Sequence, residues 1–317
     1  MEELPNNSRR EFLRKSAFSL VAGAVLPVSG FAGSEGNDIV KLTILHTNDV
    51  HSQIDPFDQN HPKYPGMGGA AIRSAIIRKI RNEERNVLLF DAGDIFQGTP
   101  YFNLFGGELE LKIMSHLGYD AATLGNHDFD NGIDGLVKQL PHARFTMINS
   151  NYDFSKTLME GKSRSYKIFT KQGLKIGVFG LGIDLNGLVD KRHYGNLRYL
   201  DPIEVTERIS AYLKLRKKCD LVICLSHLGH LYNHNKVSDL VIAKKSSFVD
   251  LIIGGHTHTF LDEPVTEVNM SGKKVLVTQA GFAGLRLGRI DYFFDRKSGE
   301  KSITSAAVME MKKSSEI

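Results

Sequence analysis

The sequence predicts a mixed α/β fold, with strands in the middle of the molecule and helices outside. Short apolar runs alternate with helix-period segments along most of the chain. Residues 167–180 read as a hairpin about Gln172-Gly173, which puts antiparallel pairing into the sheet and argues for a mixed sandwich over a doubly wound nucleotide-binding sheet. The 317 residues, 41% hydrophobic and 24% charged, suffice for one large domain or two small ones and carry no compositional sign of disorder.

The first 32 residues read as an address. Ser8-Arg9-Arg10-Glu11-Phe12-Leu13-Arg14-Lys15 leads into the apolar stretch 16–32, which ends in Gly30-Phe31-Ala32 and resembles a twin-arginine signal peptide. Gly23 and Pro27 interrupt the stretch, and it falls short of the ~20 residues of a spanning helix. No cysteine lies near its end, so no lipoprotein anchor is expected. The expectation is a signal peptide at 1–32, a soluble periplasmic product, and one catalytic domain at 33–317.

Candidate strands follow at 41–47, 86–90, 121–124, 145–149, 175–179, 221–225, 251–253, 274–279 and 289–294. Helices are expected between them, most clearly at 69–82. There Ala70, Ile72, Ile76, Ile77 and Ile80 oppose Arg73, Arg78, Lys79 and Arg81 at helical period. Residues 202–218 show the same period. Cys219 and Cys224 flank an apolar run. Five strand positions place them roughly 16 Å apart, far beyond the ~7 Å limit for a disulfide, and on opposite faces, so both are expected as free core thiols. The formal charge of +4, from 40 basic and 36 acidic side chains spread along the chain, gives no basic face for a nucleic-acid polymer.

Residues of the kind that bind metals gather where apolar runs end. This happens at Asp49-Val50-His51, at Gly93-Asp94-Ile95-Phe96-Gln97-Gly98, at Gly125-Asn126-His127-Asp128-Phe129-Asp130, at Ser226-His227 and at Gly254-Gly255-His256-Thr257-His258. Strand ends at one sheet edge converge in space, which is a common way to build a site on a rigid scaffold. Asp-x-His and His-x-His place side chains on one side of an extended segment, and Gly254-Gly255 permit a sharp turn. Asn126 offers a neutral oxygen, while Asp130 stands one helical turn from His127 and can orient its ring. Each motif alone is weak; five in order are not. His227, His230 and His234 also approximate helical spacing, a second candidate metal cluster.

The ordered series resembles the calcineurin-like metallophosphoesterase superfamily, and within it the catalytic domain of the bacterial 5′-nucleotidases and UDP-sugar hydrolases. The resemblance covers residues 40–296. It rests on Leu-His-Thr-Asn-Asp-Val-His at 45–51, Asp-Ala-Gly-Asp-Ile-Phe-Gln-Gly-Thr-Pro at 91–100 and Leu-Gly-Asn-His-Asp-Phe-Asp at 124–130. It continues through Ser-His-Leu-Gly at 226–229, Gly-Gly-His-Thr-His at 254–258 and Gln-Ala-Gly at 279–281. The resemblance implies a four-layer sandwich of two mixed sheets between helices. It implies one divalent ion on Asp49, His51 and His258, another on Asn126, His227 and His256, and Asp94 bridging them. Asn126 and His127 would contact substrate, with His127 and Asp130 as the catalytic pair. Imidazole, carboxylate and amide oxygen without thiolate suit zinc, manganese, iron or similar ions.

The reaction so implied is phosphoester hydrolysis, with metal-activated hydroxide attacking phosphorus and releasing phosphate from nucleotides or related small esters. Members of the family carry a second, nucleotide-recognising domain that has no counterpart in these 317 residues, so a separately encoded recognition subunit is an expected partner. The alternatives are an exported thiosulfate-releasing hydrolase of the same superfamily and a metal-binding subunit without activity.

Overall fold

The computed structural model describes residues 38–312, so the predicted leader at 1–32 lies outside the described residues. From the first strand onward the chain alternates as expected. Strand β1 (Ile39–Thr47) is followed by helix α1 (Ala70–Glu83), then β2 (Val87–Asp91), β3 (Ala121–Ala122) and β4 (Thr146–Met147). Strands β1 to β4 are parallel neighbours. Later in the chain β13 (Arg286–Asp295) adds antiparallel to β1, and β14 (Lys301–Glu310) adds antiparallel to β13, giving the first sheet the order β14-β13-β1-β2-β3-β4.

The second sheet has the order β11-β12-β10-β9-β7-β6. Its antiparallel hairpin is β6 (Tyr166–Lys171) and β7 (Leu174–Leu181), turning at Gln172-Gly173 as expected, both in the left-handed region at φ 46° and 84°. Parallel neighbours follow in β9 (Leu221–Ser226), β10 (Leu251–Gly254) and β12 (Lys274–Thr278), and β11 (Val265–Val268) closes the edge. A short ribbon, β5 (Tyr152–Asp153) with β8 (Arg198–Tyr199), stands apart from both sheets.

Side-chain alternation sorts the core into layers. Leu42, Ile44, Leu88 and Phe90 of the first sheet meet Ile176, Val178, Ile223 and Ile253 of the second, a layer completed by Ile290, Tyr292 and Phe294. On the outer face of the first sheet, Leu45, Val87 and Leu89 pack against Ile77 and Ile80 of α1 and against Leu111, Met114 and Leu117 of the helix Glu108–Leu117. On the outer face of the second, Val222, Ile252 and Val277 pack against Val205, from the helix Pro202–Ala211, and Ile242, from the helix Asp239–Lys245. The result is the four-layer sandwich. Among the described residues no helix is long and apolar enough to cross a membrane.

Three details depart from the sequence reading. The helix expected over 202–218 is α-helical only to Ala211 and ends in a wider π-type turn at Tyr212–Arg216. Cys219 precedes β9, after Lys218 in a left-handed conformation, so strand alternation does not reach it. Cys219 and Cys224 therefore share the outer layer of the second sheet instead of facing opposite ways, and both are free and buried. Strand β14 has no counterpart among the expected strands. Its sequence, KSITSAAVME, lacks a strong apolar alternation, and ladder pairing with β13 sets its conformation.

Candidate metal centre

Each candidate loop leaves a strand at its carboxyl end. Residues 49–51 follow β1, 93–98 follow β2, 125–130 follow β3, His227 follows β9 and 255–258 follow β10. The loops meet where the two sheets abut. Asp49, His51 and His258 form one group whose ligand atoms all lie within 4.8 Å of one another, and Asp94, His227 and His256 form another. Both groups draw side chains from both sheets.

In the first group His258 Nε2 lies 3.0 Å from His51 Nε2 and 3.4 Å from Asp49 Oδ1. In the second, Asp94 Oδ2 lies 3.0 Å from His227 Nε2, and it also stands 3.8 Å from His51 Nε2. Asp94 thus reaches both groups. Asn126 Oδ1 is 2.9 Å from His256 Nδ1, which adds the neutral oxygen to the second group. His230 and His234 belong to neither group, so the alternative cluster with His227 does not form among the described residues.

Surrounding hydrogen bonds aim these atoms. The His227 ring donates from Nδ1 to the Ala92 carbonyl at 2.7 Å, which turns Nε2 toward the centre. That Nε2 is fully buried, faces Asp94 and makes no aligned hydrogen bond. Asp49 accepts the His256 N–H on both oxygens at 3.0 Å and the Asn48 side-chain amide at 2.6 Å. Burial works against charge on His227, yet Asp94 outweighs it and lifts its pKa to about 10. Burial works against charge on Asp94 too, but His227 and His51 overcome it and hold the carboxyl well below the ordinary carboxylate range. Burial, reinforced by His227, lowers His256 to about 4, so that ring is a neutral donor of electron pairs. A divalent cation would compete with protons for these ligand atoms. A buried nitrogen without an aligned partner, two converging donor sets and a strongly acidic carboxylate between them all fit divalent ions.

The backbone reasons given by the sequence need correction. Gly254 and Gly255 do not turn in the left-handed region; His256 and His258 do, at φ 73° and 52°, as do Asp49, His51 and Asp94 at 49°, 51° and 55°. The ligand segments are therefore not extended, and five non-glycine residues hold a sparsely populated conformation that clusters at functional sites. The glycines serve close approach instead. A Cβ on Gly254 would collide with Asp239 Oδ2, one on Gly125 with Asp94 Oδ1, and one on Gly255 would sit 2.9 Å from the Ala92 carbonyl.

His127 and Asp130 stand at the rim on a single tight turn, with His127 Nδ1 2.9 Å from Asp130 Oδ2. The hydrogen bond that His127 donates to Asp130 raises the His127 pKa, with burial opposing it. The His127 side chain is 37% exposed, and its ring meets the His51 ring edge-on at 5.3 Å. It belongs to neither ligand group but borders the first.

Sequence reasoning assigns no role to Asp128. Its buried carboxylate accepts backbone N–H groups from Gly125 at 2.8 Å, Asp94 at 3.1 Å, Ile95 at 3.0 Å and Phe96 at 3.2 Å, tying the second loop to the third. A sequence signal exists, an aspartate directly after Asn126-His127, but nothing local marks it as facing the backbone. Gln279 is similar. Its amide nitrogen donates to the Gly255 carbonyl and its oxygen accepts the Thr259 N–H, which fixes the loop that carries His256 and His258. Phe282 stacks on the His258 ring at 5.1 Å and leads to Phe260 and Tyr64, an aromatic wall that no motif predicts.

Comparison with known proteins agrees with this geometry. Residues 42–260 match the family described as Calcineurin-like phosphoesterase. The chain is 35% identical over 299 residues to a snake venom 5′-nucleotidase of Gloydius brevicauda, covering 88% of this chain and 49% of that protein. It is also 35% identical over 301 residues to a 5′-nucleotidase of Vibrio cholerae, covering 86% of this chain and 52% of the relative. Among solved structures, a 5′-nucleotidase precursor from Thermus thermophilus superimposes with a TM-score of 0.77 at 32% identity, over 86% of this chain and 55% of that one. The chain thus spans about half the length of the relatives it matches.

Proposed function

The chain belongs to the calcineurin-like phosphoesterase family, and on that premise we propose that it hydrolyses small phosphate esters of the nucleotide type at a centre holding two divalent ions. The observation that carries this reading is the meeting of two donor groups around Asp94. Asp49, His51 and His258 would hold one ion, Asn126, His227 and His256 the other, and Asp94 both. Bound there, such ions act as Lewis acids, neutralising phosphate charge and acidifying a coordinated water.

The protein's own groups supply the remainder. Asp130 holds His127 by Nδ1, which leaves Nε2 free to donate to a phosphate oxygen or to the departing oxygen. The backbone N–H of His127 donates to Asp94 Oδ1 at 2.8 Å, so the residue facing substrate and the residue between the ions are held in one register. Asn126 precedes His127 in the chain and sets its amide oxygen 2.9 Å from His256 Nδ1. Nucleotide specificity is the reading its relatives favour, since the matched relatives are named 5′-nucleotidases. A recognition element encoded apart from these residues would sharpen it.

The test is hydrolysis by metal-reconstituted protein of AMP and an aryl phosphate, read as inorganic phosphate released, and of UDP-glucose and a 2′,3′-cyclic nucleotide, read as the monophosphates formed. AMP should be hydrolysed; absence of hydrolysis of all four with both ions bound would overturn the proposal. Export rests on the Arg9-Arg10 leader. We expect the mature protein isolated from its host to begin near residue 33, and an N-terminus mapped to Met1 in an exported sample would rule the leader out.

A further inference from the structure

At the other end of the second sheet, the amino ends of β7, β9, β10 and β12 open onto a cavity of about 1610 Å³. The six residues of β9 put it roughly 20 Å from the ligand loops. Its floor is apolar, from Leu276, Tyr292 and Phe294, and its walls are cationic, with six basic against four acidic side chains. Lys301 of β14 pairs with Phe294 of β13 and so points into the space between the sheets, where it meets Asp250 ahead of β10 in an ion pair. Burial, together with Lys214 and Lys273, holds the Lys301 ammonium below its ordinary pKa against the pull of Asp250. Lys214, Lys273 and Lys301 all line this cavity. Neither Lys214 nor Lys273 has a carboxylate within ion-pair distance among the described residues.

The second observation is Tyr292. Its side chain lines this cavity and is 2% exposed, yet its hydroxyl has no hydrogen-bond partner. A buried hydroxyl left unbonded carries its desolvation cost unrelieved. Lys301 donates to Asp250 and Lys214 to the Asp220 carbonyl at 3.0 Å, but the lining still carries two more basic than acidic side chains, and the Tyr292 hydroxyl has no acceptor. The excess of two positive charges suits a ligand with two negative charges and several oxygens.

We propose that this cavity is a second ligand site, remote from the metal centre, that binds a phosphate-type dianion through Lys214, Lys273, Lys301 and the Tyr292 hydroxyl. The ligand is either free phosphate or the phosphoryl group of a small organic monoester lying on the apolar floor. The test is calorimetric titration of the full, metal-loaded protein with inorganic phosphate and with phenylphosphonate, which resists hydrolysis. A binding event should persist in Asp94→Asn, where the metal centre is disabled. It should weaken about tenfold in Tyr292→Phe, the loss of one hydrogen bond to a charged group, and further in Lys214→Glu/Lys273→Glu. Tyr292→Phe should leave the melting temperature unchanged or higher, since its hydroxyl bonds nothing in the protein. Equal affinity for the two probes would identify free phosphate, and tighter binding of phenylphosphonate an organic monoester. Binding that vanishes in Asp94→Asn, or that is indifferent to Tyr292→Phe and to the lysine reversals, would overturn the site.

Discussion

Asp94→Asn should lose bound metal and turnover together, with metal affinity falling at least about a hundredfold. The substitution conserves shape at a residue that is 1% exposed. An asparagine oxygen can still accept the His127 N–H now donated to Oδ1, and its amide can donate to the His227 nitrogen that Oδ2 faces at 3.0 Å. Folding is therefore expected to survive, and the loss reads on charge alone. Removing the negative charge nearest to both donor groups leaves Asp49 as the remaining carboxylate among the six clustered ligands. Metal analysis alongside phosphate release checks this. An Asp94→Asn protein with full metal occupancy and a normal rate would remove Asp94 from the centre.

His127→Ala separates chemistry from metal binding. The expected result is unchanged metal content and a fall in kcat of about 10²–10⁴-fold, the range for loss of a positioned acid or base. His127 is outside both donor groups and partly exposed, so its ring is dispensable for the fold. Asp130→Asn should show a milder loss, because the ring then keeps a partner but not an anionic one. If His127→Ala released metal to the same extent as Asp94→Asn, the ring would be a ligand and the proposed division of labour would fail.

The chemistry of the centre is more legible in the sequence than its construction. Asp49, His51, Asp94, Asn126, His127, His227, His256 and His258 all follow apolar runs, and termination of a buried strand is a local event that composition reveals. What holds them is not local. Asp128 reads as one more polar loop residue until the loop after β2 is laid against it. Gly254 looks like a hinge because glycine's freedom is its best-known property, whereas its missing side chain makes room for Asp239, a contact formed only when the helix Asp239–Lys245 docks. The same limit applies to β14, whose conformation depends on β13 rather than on its own residues. The hairpin at Gln172-Gly173 shows the converse case, where turn chemistry and flanking apolar runs lie within a few residues of each other and are readable directly.

The ligand groups each span both sheets, with Asp49, His51 and Asp94 carried by the first and His227, His256 and His258 by the second. An ion held by either group would be a further cross-link between two layers already joined by apolar packing and by hydrogen bonds such as those from the His256 N–H to Asp49 and from the His227 ring to the Ala92 carbonyl. Stability and metal supply are then thermodynamically linked: an ion present at a hundred times its dissociation constant adds about 2.7 kcal/mol to folding. The strained ligand backbone would be secured by the same ions. A protein built this way is most rigid when it is loaded, and ion scarcity would loosen the molecule along the seam where its reaction takes place.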